Sequence, residues 1–471
     1  MTMNDSPERY DAIVVGAGQA GPSVAIHLAE SGRRVALIER DRVGGTCLNS
    51  GCRPTKALRA SARVAYLARR ASDYGVQLGD VSVDLPAAMA RKDRMIGRWR
   101  DGFADYLMSL DKLELIRGHA RFSPSSGGGG GGEGGGVHEM VVNGRRLSSE
   151  LIVLDVGARP RVPDIPGLSE IPYLTNESLL QLPSLPSHLL VLGGSYIGLE
   201  FAQMFRRLGS EVTVLEAGPR VAGREDHDVS EAIQRIIEKD GVQVHCGAAV
   251  ERFSATDERV EAHLADGKTL SGDKVLIAVG RIPNTDRLGL ECVGLEVDRR
   301  GYLRTDGVFR TAVPGIIALG DINGRGAFTH TAYQDAEIFI DHLQGGKRSA
   351  DSRIMTYALF TDPPLGRVGL NESEARATGR RVLSASYPME RLTKAVLDGE
   401  TEGLVKVLVD AESDCFLGAT CLGLFGDEIV QVVSAMMHAK APCHVLAEML
   451  PVHPTVAEFY PTILKGLKPL V

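Results

Sequence analysis

Aromatic residues and cysteines are scarce in this chain of 471 residues. Aromatic residues make up 5% of it, Trp99 is the one tryptophan, and there are seven cysteines. So few aromatic side chains argue against a stacking platform for bases, and a net charge of -7 argues against a nucleic-acid partner, which requires a basic patch. Seven cysteines in a chain of this length do not make a disulfide scaffold. A close cysteine pair would therefore carry redox or metal chemistry.

Long hydrophobic runs are also missing. No apolar stretch reaches about 18 residues, so we expect no membrane span. The N-terminus, MTMNDSPERYDAIVVGAG, has no basic segment followed by an apolar one, which a secretory signal would have. These absences predict a cytoplasmic protein.

A strand–helix–strand pattern occurs twice. Residues 10–16 form an apolar run that ends in glycine, a helical pattern follows up to Gly32, and residues 33–40 predict a second strand. The same order returns over residues 189–216, with a helix closed by Gly209. Two such units predict two nucleotide-binding domains built on parallel sheets.

Glycine is concentrated in one tract, residues 125–136, which reads SSGGGGGGEGGG. Such a tract cannot bury side chains, so we predict a disordered loop between two strands, residues 113–123 and 138–147. From residue 354 onward, strands alternate with helices and no glycine fingerprint appears, which indicates a third, α+β domain.

The first glycine fingerprint is Gly16, Gly18 and Gly21, between a strand and a helix. Glycines at these places permit a tight turn and let backbone N–H groups approach a pyrophosphate. Glu39 ends the following strand, where an acid hydrogen-bonds a ribose hydroxyl. The spacing therefore predicts dinucleotide binding.

The second fingerprint spans residues 193–198, with Ser195 in the middle glycine position. Glu216 ends the next strand and favours a free ribose 2′-hydroxyl, hence NADH over NADPH. Arg220 and Arg224 lie nearby in sequence and could instead hold a 2′-phosphate.

The third motif, GGTCLNSGCRPTK, spans residues 44–56 and contains Cys47 and Cys52. On a regular helix two residues five positions apart point about 140° from each other, so a disulfide between them would need an irregular turn. Gly44, Gly45 and Gly51 supply that freedom. A helix N-terminus would also lower the thiol pKa. The alternatives are two buried structural thiols or half of a zinc site.

This motif, together with both fingerprints, resembles the class I pyridine nucleotide-disulfide oxidoreductases, in their mercuric reductase-like and dihydrolipoamide dehydrogenase-like branch. The resemblance covers nearly the whole chain and implies an α/β fold with two Rossmann-like domains and a C-terminal α+β dimerisation domain. It implies an FAD-binding domain over residues 1–155 and 286–350, an NAD(P)-binding domain over 156–285, and a dimerisation domain over 351–471.

The resemblance also assigns roles around the cysteines. It implies that Cys52 lies against the flavin as the charge-transfer thiol and that Cys47 is the interchange thiol that meets substrate. It pairs Lys56 with Glu200 near the reactive nitrogen of the flavin. Tyr196 would cover the nicotinamide pocket until the nucleotide displaces it. Arg53 beside Cys52 could further stabilise the thiolate or be simply solvent-exposed.

A histidine and a glutamate near the C-terminus, His453 and Glu458, resemble the family's acid–base dyad. The resemblance implies that His453 serves the interchange thiol of the other subunit, so that a homodimer shares its active sites.

The remaining site residues follow from the same resemblance. The residues expected to bind FAD are Gly16, Gly18, Gly21, Glu39, Gly45, Thr46, Lys56, Gly157, Gly320 and Asp321. The residues expected to bind NAD(P) are Gly193, Tyr196, Ile197, Glu200, Glu216 and Gly280. We expect FAD and NADH as cofactors, with NADPH possible, and no resident metal.

The sequence leaves the electron acceptor open between a small-molecule disulfide and a metal ion. Segments 324–338 and 357–369 resemble the mercuric reductase-like branch. The chain nevertheless has no N-terminal Cys-x-x-Cys domain, ends in KGLKPLV without vicinal cysteines, and keeps the dyad histidine. A dihydrolipoyl dehydrogenase is the alternative, although Pro451 replaces the first histidine of its usual HxHPT and Thr55 the serine of its PSK. A flavin-bound redox sensor or metal-binding protein, a transhydrogenase and a quinone reductase also remain open.

Overall fold

The computed structural model describes residues 6–124, 136–256 and 259–470. The chain divides into two compact units. The first comprises Met1–Ala57, Ala87–Arg161 and Gly280–Arg353, and the second Leu58–Pro86, Val162–Val279 and Ile354–Val471. The predicted division into FAD-binding, NAD(P)-binding and dimerisation domains stays a prediction, because compactness does not reveal which ligand a domain binds.

The first unit is built on a parallel sheet. Its described strands lie in the order Ile316–Ala318, Ile152–Leu154, Ala12–Val15, Val35–Glu39 and Leu113–Arg117. Two further sheets belong to this unit: Glu8–Arg9, Arg145–Ser149, His138–Val142 and Arg121–Phe122; and Ala158–Pro160 with Arg281–Pro283. Its helices include Gly21–Glu30, Gly45–Asn49 and Thr329–Leu343. Two further helices, Cys52–Arg69 and Leu85–Met108, each contribute residues to both units.

The central strand of this sheet is buried on both faces. Val14 contacts a core that includes Val24 and Leu28 of the helix Gly21–Glu30. Ile13, on the other face, contacts a core that includes Phe122. A strand buried on both sides needs a continuous apolar run, which residues 12–15 provide.

The second unit contains another parallel sheet and a large antiparallel one. The described strands of the parallel sheet lie in the order Tyr173–Leu174, Lys274–Ile277, His188–Leu192, Glu211–Glu216 and Gln243–Cys246, and a separate antiparallel sheet follows with Val250–Ala255, Val260–Leu264 and Thr269–Gly272. The large antiparallel sheet runs Thr356–Leu359, Leu365–Gly369, Phe416–Leu422, Leu404–Asp410, Val382–Pro388 and Lys468–Pro469. The helices that lie in this unit are Asn176–Leu179, Tyr196–Leu208, His227–Lys239, Glu372–Ala377, Thr393–Leu397, Gly426–Ala439, His444–Glu448 and Tyr460–Leu464.

The two long strands predicted around the glycine tract are wrong in detail. The first is divided at Gly118, whose φ of +156° turns the chain out of the parallel sheet. The second is a hairpin, because Asn143 and Gly144 have φ of +49° and +80° and form the kind of turn that joins adjacent strands. The predicted loop 125–136 lies outside the described residues except for Gly136.

No described helix is both long and apolar enough to cross a bilayer.

Candidate active site

The first fingerprint forms a turn in which side chains do not fit. The helix Gly21–Glu30 begins at its third glycine. A Cβ at Gly16, where φ is +105°, would lie 2.1 Å from the carbonyl oxygen of Asp155, and a Cβ at Gly21 would lie 2.1 Å from that of Gly16. Glu39 fixes the turn, because its carboxylate accepts the amide N–H of Ala17 at 2.8 Å and that of Asp41 at 2.8 Å.

These residues fit a dinucleotide with a pyrophosphate group. Besides the bare turn, Gly157 and Gly280 have φ of +64° and +113°, and no atom lies within 4 Å of where a Cβ would stand on either. Open backbone of this kind allows close approach of a phosphate or a ring. FAD would be held by the first fingerprint, Glu39 and Gly157. Gly280, which was predicted to bind NAD(P), offers the same open backbone within this unit.

Asp321 lies in the same unit, in the turn Gly320–Ile322. The buried carboxylate of Asp335 holds this turn by accepting the N–H of Gly320 at 2.9 Å and the side-chain amide of Asn323 at 2.7 Å. Burial raises the pKa of Asp321, and Arg281, with Nε 3.9 Å from its carboxylate, partly opposes that shift. Arg281 also donates to the Thr46 hydroxyl at 3.4 Å, so it joins two of the predicted FAD-binding residues.

The two cysteines lie on different helices with a break between them. Cys47 is inside the short helix Gly45–Asn49, and Cys52 begins the long helix Cys52–Arg69. Ser50, with φ -144° and ψ 14°, ends the first helix. The irregular turn predicted between the cysteines is therefore present. The structure forms no disulfide between these two described residues, and Cys47 is buried whereas Cys52 is exposed.

The turn that leads into Cys47 packs on the first fingerprint. A Cβ on Gly45 would lie 2.8 Å from the Cα of Gly18. The N–H of Gly44 donates to the carbonyl of Ala17 at 2.7 Å, and the Gln19 side chain donates to the carbonyl of Gly44 at 3.0 Å. The structure thus joins the thiol motif directly to the nucleotide turn.

Thr329 is a neighbour of the thiols that the sequence did not reveal. It begins the helix Thr329–Leu343, and its hydroxyl lies 3.3 Å from the Sγ of Cys52. The hydrogen bond with Cys52 and burial raise the pKa of the Cys47 thiol, although Thr329 and Arg53 act in the opposite direction. For Cys47, the expected lowering of the pKa is therefore wrong, because the hydrogen bond with Cys52 and burial raise it.

The second fingerprint repeats the construction of the first. A Cβ at Gly198 would lie 1.9 Å from the carbonyl oxygen of Gly193. The carboxylate of Glu216 accepts the N–H of Gly194 at 2.7 Å and that of Gly218 at 2.7 Å. The helix Tyr196–Leu208, which contains Ile197, begins within the fingerprint.

Tyr196 is anchored by a buried acid. Its hydroxyl donates to Glu225, which also accepts the Tyr357 hydroxyl at 2.9 Å and Nη1 of Arg367 at 2.8 Å. The ring centroids of the two tyrosines lie 5.7 Å apart. Burial, followed by the charge of Glu225, raises the pKa of Tyr196, so the phenol stays neutral.

The predicted partners Lys56 and Glu200 belong to different units of the chain. Within the second unit, the Glu200 carboxylate accepts the backbone N–H of Phe360 at 2.9 Å. Their pairing remains a prediction.

The two members of the C-terminal dyad, His453 and Glu458, are in contact in the structure. Nδ1 of His453 lies 2.8 Å from the carboxylate of Glu458, and the side chains are 70% and 11% exposed. An acid on Nδ1 fixes the tautomer that leaves Nε2 available for proton exchange. Glu458 is positioned in turn by its N–H, which donates to the hydroxyl of Thr455 at 3.2 Å.

Among the described residues, one acidic group has the spacing of a metal site: Asp226, Asp228 and Glu372. The ammonium of Lys406 already lies among them, 2.6 Å from Asp228, 2.6 Å from Glu372 and 3.4 Å from Asp226. A buried lysine thus occupies the place of a cation in this cluster and offsets one of its three negative charges.

Comparison with known proteins agrees with this geometry. The family described as pyridine nucleotide-disulphide oxidoreductase matches residues 10–336, and its dimerisation domain matches residues 355–463. The chain therefore belongs to the pyridine nucleotide-disulfide oxidoreductases, which are enzymes that bind FAD and use NAD(P)H. The predicted family, fold class and cofactor class are confirmed.

Individual relatives match nearly the whole chain. The probable pyridine nucleotide-disulfide oxidoreductase RclA of Escherichia coli K12 is 35% identical over 96% of this chain and 97% of its own length. A dihydrolipoyl dehydrogenase of Chlamydia muridarum is 32% identical over 96% of each chain. The structure of a Cu(II) complex of the HOCl-induced flavoprotein disulfide reductase RclA from Escherichia coli superposes with a TM-score of 0.86, at 34% identity over 96% of this chain and 99% of that one.

Proposed function

We propose that this enzyme passes electrons from NADH through FAD to the Cys47–Cys52 pair, and from Cys47 to a small-molecule disulfide or a metal ion. The observation that carries this proposal is the contact of the Gly44–Gly45 turn with the first fingerprint, with Gly45 against the Cα of Gly18. Because the same turn leads into the Cys47 helix, the thiols are tied to the part of the chain that would hold FAD.

Bound FAD supplies a two-electron carrier between the nicotinamide and the thiols. The chain supplies the rest. Cys52, at the start of its helix and 3.3 Å from the Thr329 hydroxyl, would be the thiol that receives electrons from bound FAD. Cys47 exchanges with substrate. Because its pKa is raised, Cys47 needs a base to become a nucleophile.

His453 is that base in this proposal. Glu458 orients the imidazole through Nδ1. In a homodimer, Nε2 of His453 in one subunit would take the proton from the Cys47 thiol of the other subunit. A dimerisation domain in residues 355–463 supports the dimer. A cytoplasmic location, where thiols stay reduced, suits this chemistry.

NADH is the proposed donor because of Glu216. Both of its carboxylate oxygens accept backbone N–H groups at the second fingerprint, so the acid is fixed where a ribose would bind. A 2′-phosphate would meet this negative charge. Gly193, Tyr196, Ile197 and Gly280 complete the proposed NAD(P)-binding set.

Two acceptor classes remain candidates for specific reasons. A disulfide acceptor is favoured by the formed His453–Glu458 contact, since a disulfide reductase needs a proton donor for the thiol that leaves. A dihydrolipoyl dehydrogenase relative belongs to the same candidate. A metal-ion acceptor is favoured by the Cu(II) complex formed by a similar structure.

The test is oxidation of NADH and NADPH by the FAD-loaded enzyme with oxidised lipoamide, other small disulfides, cupric and mercuric ions, and a quinone. The variants Cys47→Ser and His453→Ala are assayed in parallel. We expect turnover with a disulfide or metal ion that Cys47→Ser abolishes. After anaerobic reduction by NADH, the number of titratable thiols per subunit should rise by two in the wild type and should not rise in Cys47→Ser.

Each result assigns an outcome. Disulfide turnover lost in His453→Ala supports the disulfide reductase. Metal-ion turnover indifferent to His453 supports the metal-ion reductase. Quinone reduction or transhydrogenation that survives Cys47→Ser would refute the proposal that the thiols carry the electrons.

A further inference from the structure

Asp155 places a carboxylate at the start of the first fingerprint helix. It follows the strand Ile152–Leu154 and is 6% exposed. One carboxylate oxygen accepts the N–H of Gly21 at 2.8 Å and that of Ala20 at 3.1 Å. Amides at the start of such a helix are the groups that a dinucleotide pyrophosphate engages.

The second nucleotide fold lacks this carboxylate. There the equivalent position is Ala278: its N–H donates to the carbonyl of Leu192 at 2.8 Å, as that of Asp155 donates to Val15 at 2.8 Å. Its carbonyl oxygen also faces the first glycine of the fingerprint, Gly193, as that of Asp155 faces Gly16. The methyl group of Ala278 cannot accept a hydrogen bond from a backbone N–H, so only the first nucleotide fold has an acid at this position.

The surroundings of Asp155 are acidic. Asp321 approaches from the turn Gly320–Ile322, and Asp335 from the helix Thr329–Leu343. The nearby cations serve other acids, since Arg353 pairs with Asp335 and Arg281 lies 3.9 Å from Asp321. No ion pair joins Asp155 to a lysine, arginine or histidine of residues 6–124, 136–256 or 259–470.

Burial and the neighbouring carboxylates shift the pKa of Asp155 in the same direction. Burial raises the pKa of Asp155 well above its ordinary value, the charges of Asp321 and Asp335 add to that shift, and the amides of Gly21 and Ala20 oppose it. A neutral carboxyl can donate a hydrogen bond to a phosphate oxygen, whereas an ionised one repels it and holds the same amides.

We propose that Asp155 makes FAD binding depend on pH: its carboxyl is neutral when the pyrophosphate is bound, so that FAD binding at higher pH takes up a proton. This inference rests on the proposed assignment of the first fingerprint to FAD. Asp155 thereby sets how firmly the enzyme retains its cofactor.

The test measures FAD binding to the apoprotein by quenching of Trp99 and flavin fluorescence, across the pH range in which the apoprotein stays folded. In the wild type the Kd should rise by up to about tenfold per pH unit, the limit for uptake of one proton. Asp155→Asn and Asp155→Ala should bind FAD with a Kd that varies little with pH. Titration calorimetry in buffers of different ionisation heat should detect proton uptake in the wild type and none in Asp155→Asn.

Two results would overturn the inference. One is the same pH slope in the wild type and Asp155→Asn, or no proton uptake by the wild type. The other is loss of FAD from both folded Asp155 variants, which would make the carboxylate a required ligand.

A control variant separates this inference from the site assignment. Glu39→Ala removes the acceptor of the Ala17 and Asp41 amides and leaves the hydrogen bonds of Asp155 to Ala20 and Gly21 in place, so it should weaken FAD binding strongly at every pH. Retention of the wild-type FAD affinity by Glu39→Ala would reject the first fingerprint as the FAD site. Loss of FAD there, with wild-type pH behaviour in Asp155→Asn, would reject only the role of Asp155.

Discussion

The two nucleotide folds of this enzyme share one backbone design and differ in the side chains attached to it. In each, an acid at the end of the second strand accepts two amides, Glu39 in the first and Glu216 in the second. In each, the first glycine has a positive φ, +105° at Gly16 and +112° at Gly193.

The two nucleotide folds differ at the fourth position of the fingerprint. Gln19 of the first fold donates to the turn before Cys47, whereas Tyr196 of the second donates to the buried Glu225. The fingerprint therefore provides a dinucleotide cradle in both places. The side chain at this position connects one cradle to the thiols and the other to a buried acid.

The largest expected effect tests whether the two acids serve separate ligands. In Glu39→Ala two backbone amides lose their acceptor, and the FAD Kd should rise about a thousandfold, roughly 4 kcal/mol. Glu216→Ala should keep FAD and raise the KM for NADH instead. Flavin fluorescence and steady-state kinetics measure the two constants. Release of FAD by Glu216→Ala would contradict the expectation that Glu39 and Glu216 serve different ligands.

A second effect tests the shared glycine turn. Gly16→Ala and Gly193→Ala should each cost about 3 kcal/mol of unfolding free energy, from left-handed strain plus a backbone clash. The clash follows from an added Cβ 2.1 Å from the Asp155 oxygen and 2.5 Å from the Ala278 oxygen.

Gly32→Ala is the matched control for this pair. It has φ +88° with no atom within 4 Å of an added Cβ, so strain alone applies, about 1 kcal/mol. Denaturant unfolding of the apoprotein gives all three values. Equal costs at Gly16 and Gly32 would show that crowding in the turn contributes nothing.

A third prediction concerns two substitutions, one that removes the buried acid of the first fold, Asp155→Asn, and one that introduces an acid at the equivalent position of the second, Ala278→Asp. The pKa of Asp155 is raised in the folded protein, so folding favours its protonated form. Its contribution to stability is complete below the unfolded pKa of about 3.9 and is lost as pH rises through the folded value.

Asp155→Asn should therefore equal the wild type at low pH and become more stable than the wild type as the pH rises, whereas Ala278→Asp should become less stable than the wild type as the pH rises. Urea unfolding of the apoproteins over a pH series measures the difference. A stability gap that does not change with pH would contradict a titrating carboxyl.

The smallest effect concerns Tyr196. If the nicotinamide must displace this ring, Tyr196→Phe removes a hydrogen bond to Glu225 that displacement breaks, and the KM for NADH should fall about fivefold, roughly 1 kcal/mol. Tyr357→Phe removes a hydrogen bond to the same oxygen from outside the fingerprint and should leave the KM unchanged. An equal fall in both variants would implicate the charge of Glu225 rather than Tyr196.

The sequence predicted the local parts of this molecule well. Both fingerprints, the acids Glu39 and Glu216 and the break between Cys47 and Cys52 follow from short motifs with fixed spacing. The His453–Glu458 contact spans five positions and was expected for the same reason.

Distant partners were missed because no local pattern marks them. Asp155 contacts an amide 134 positions away, and Thr329 contacts a thiol 277 positions away. Glu225 lies 142 positions from Arg367. Each is an ordinary polar residue until the sheets bring it to the site.

The close approach of Gly45 to Gly18 has a consequence for engineering. A library that varies the residues around Cys47 to accept a new oxidant would, at Gly45, also alter the surface against which the first fingerprint rests. Selection for a new acceptor would then discard variants that had merely lost their flavin. Diversity is better placed beyond the helix break, with Gly18 and Gly45 kept as a pair that is inherited together.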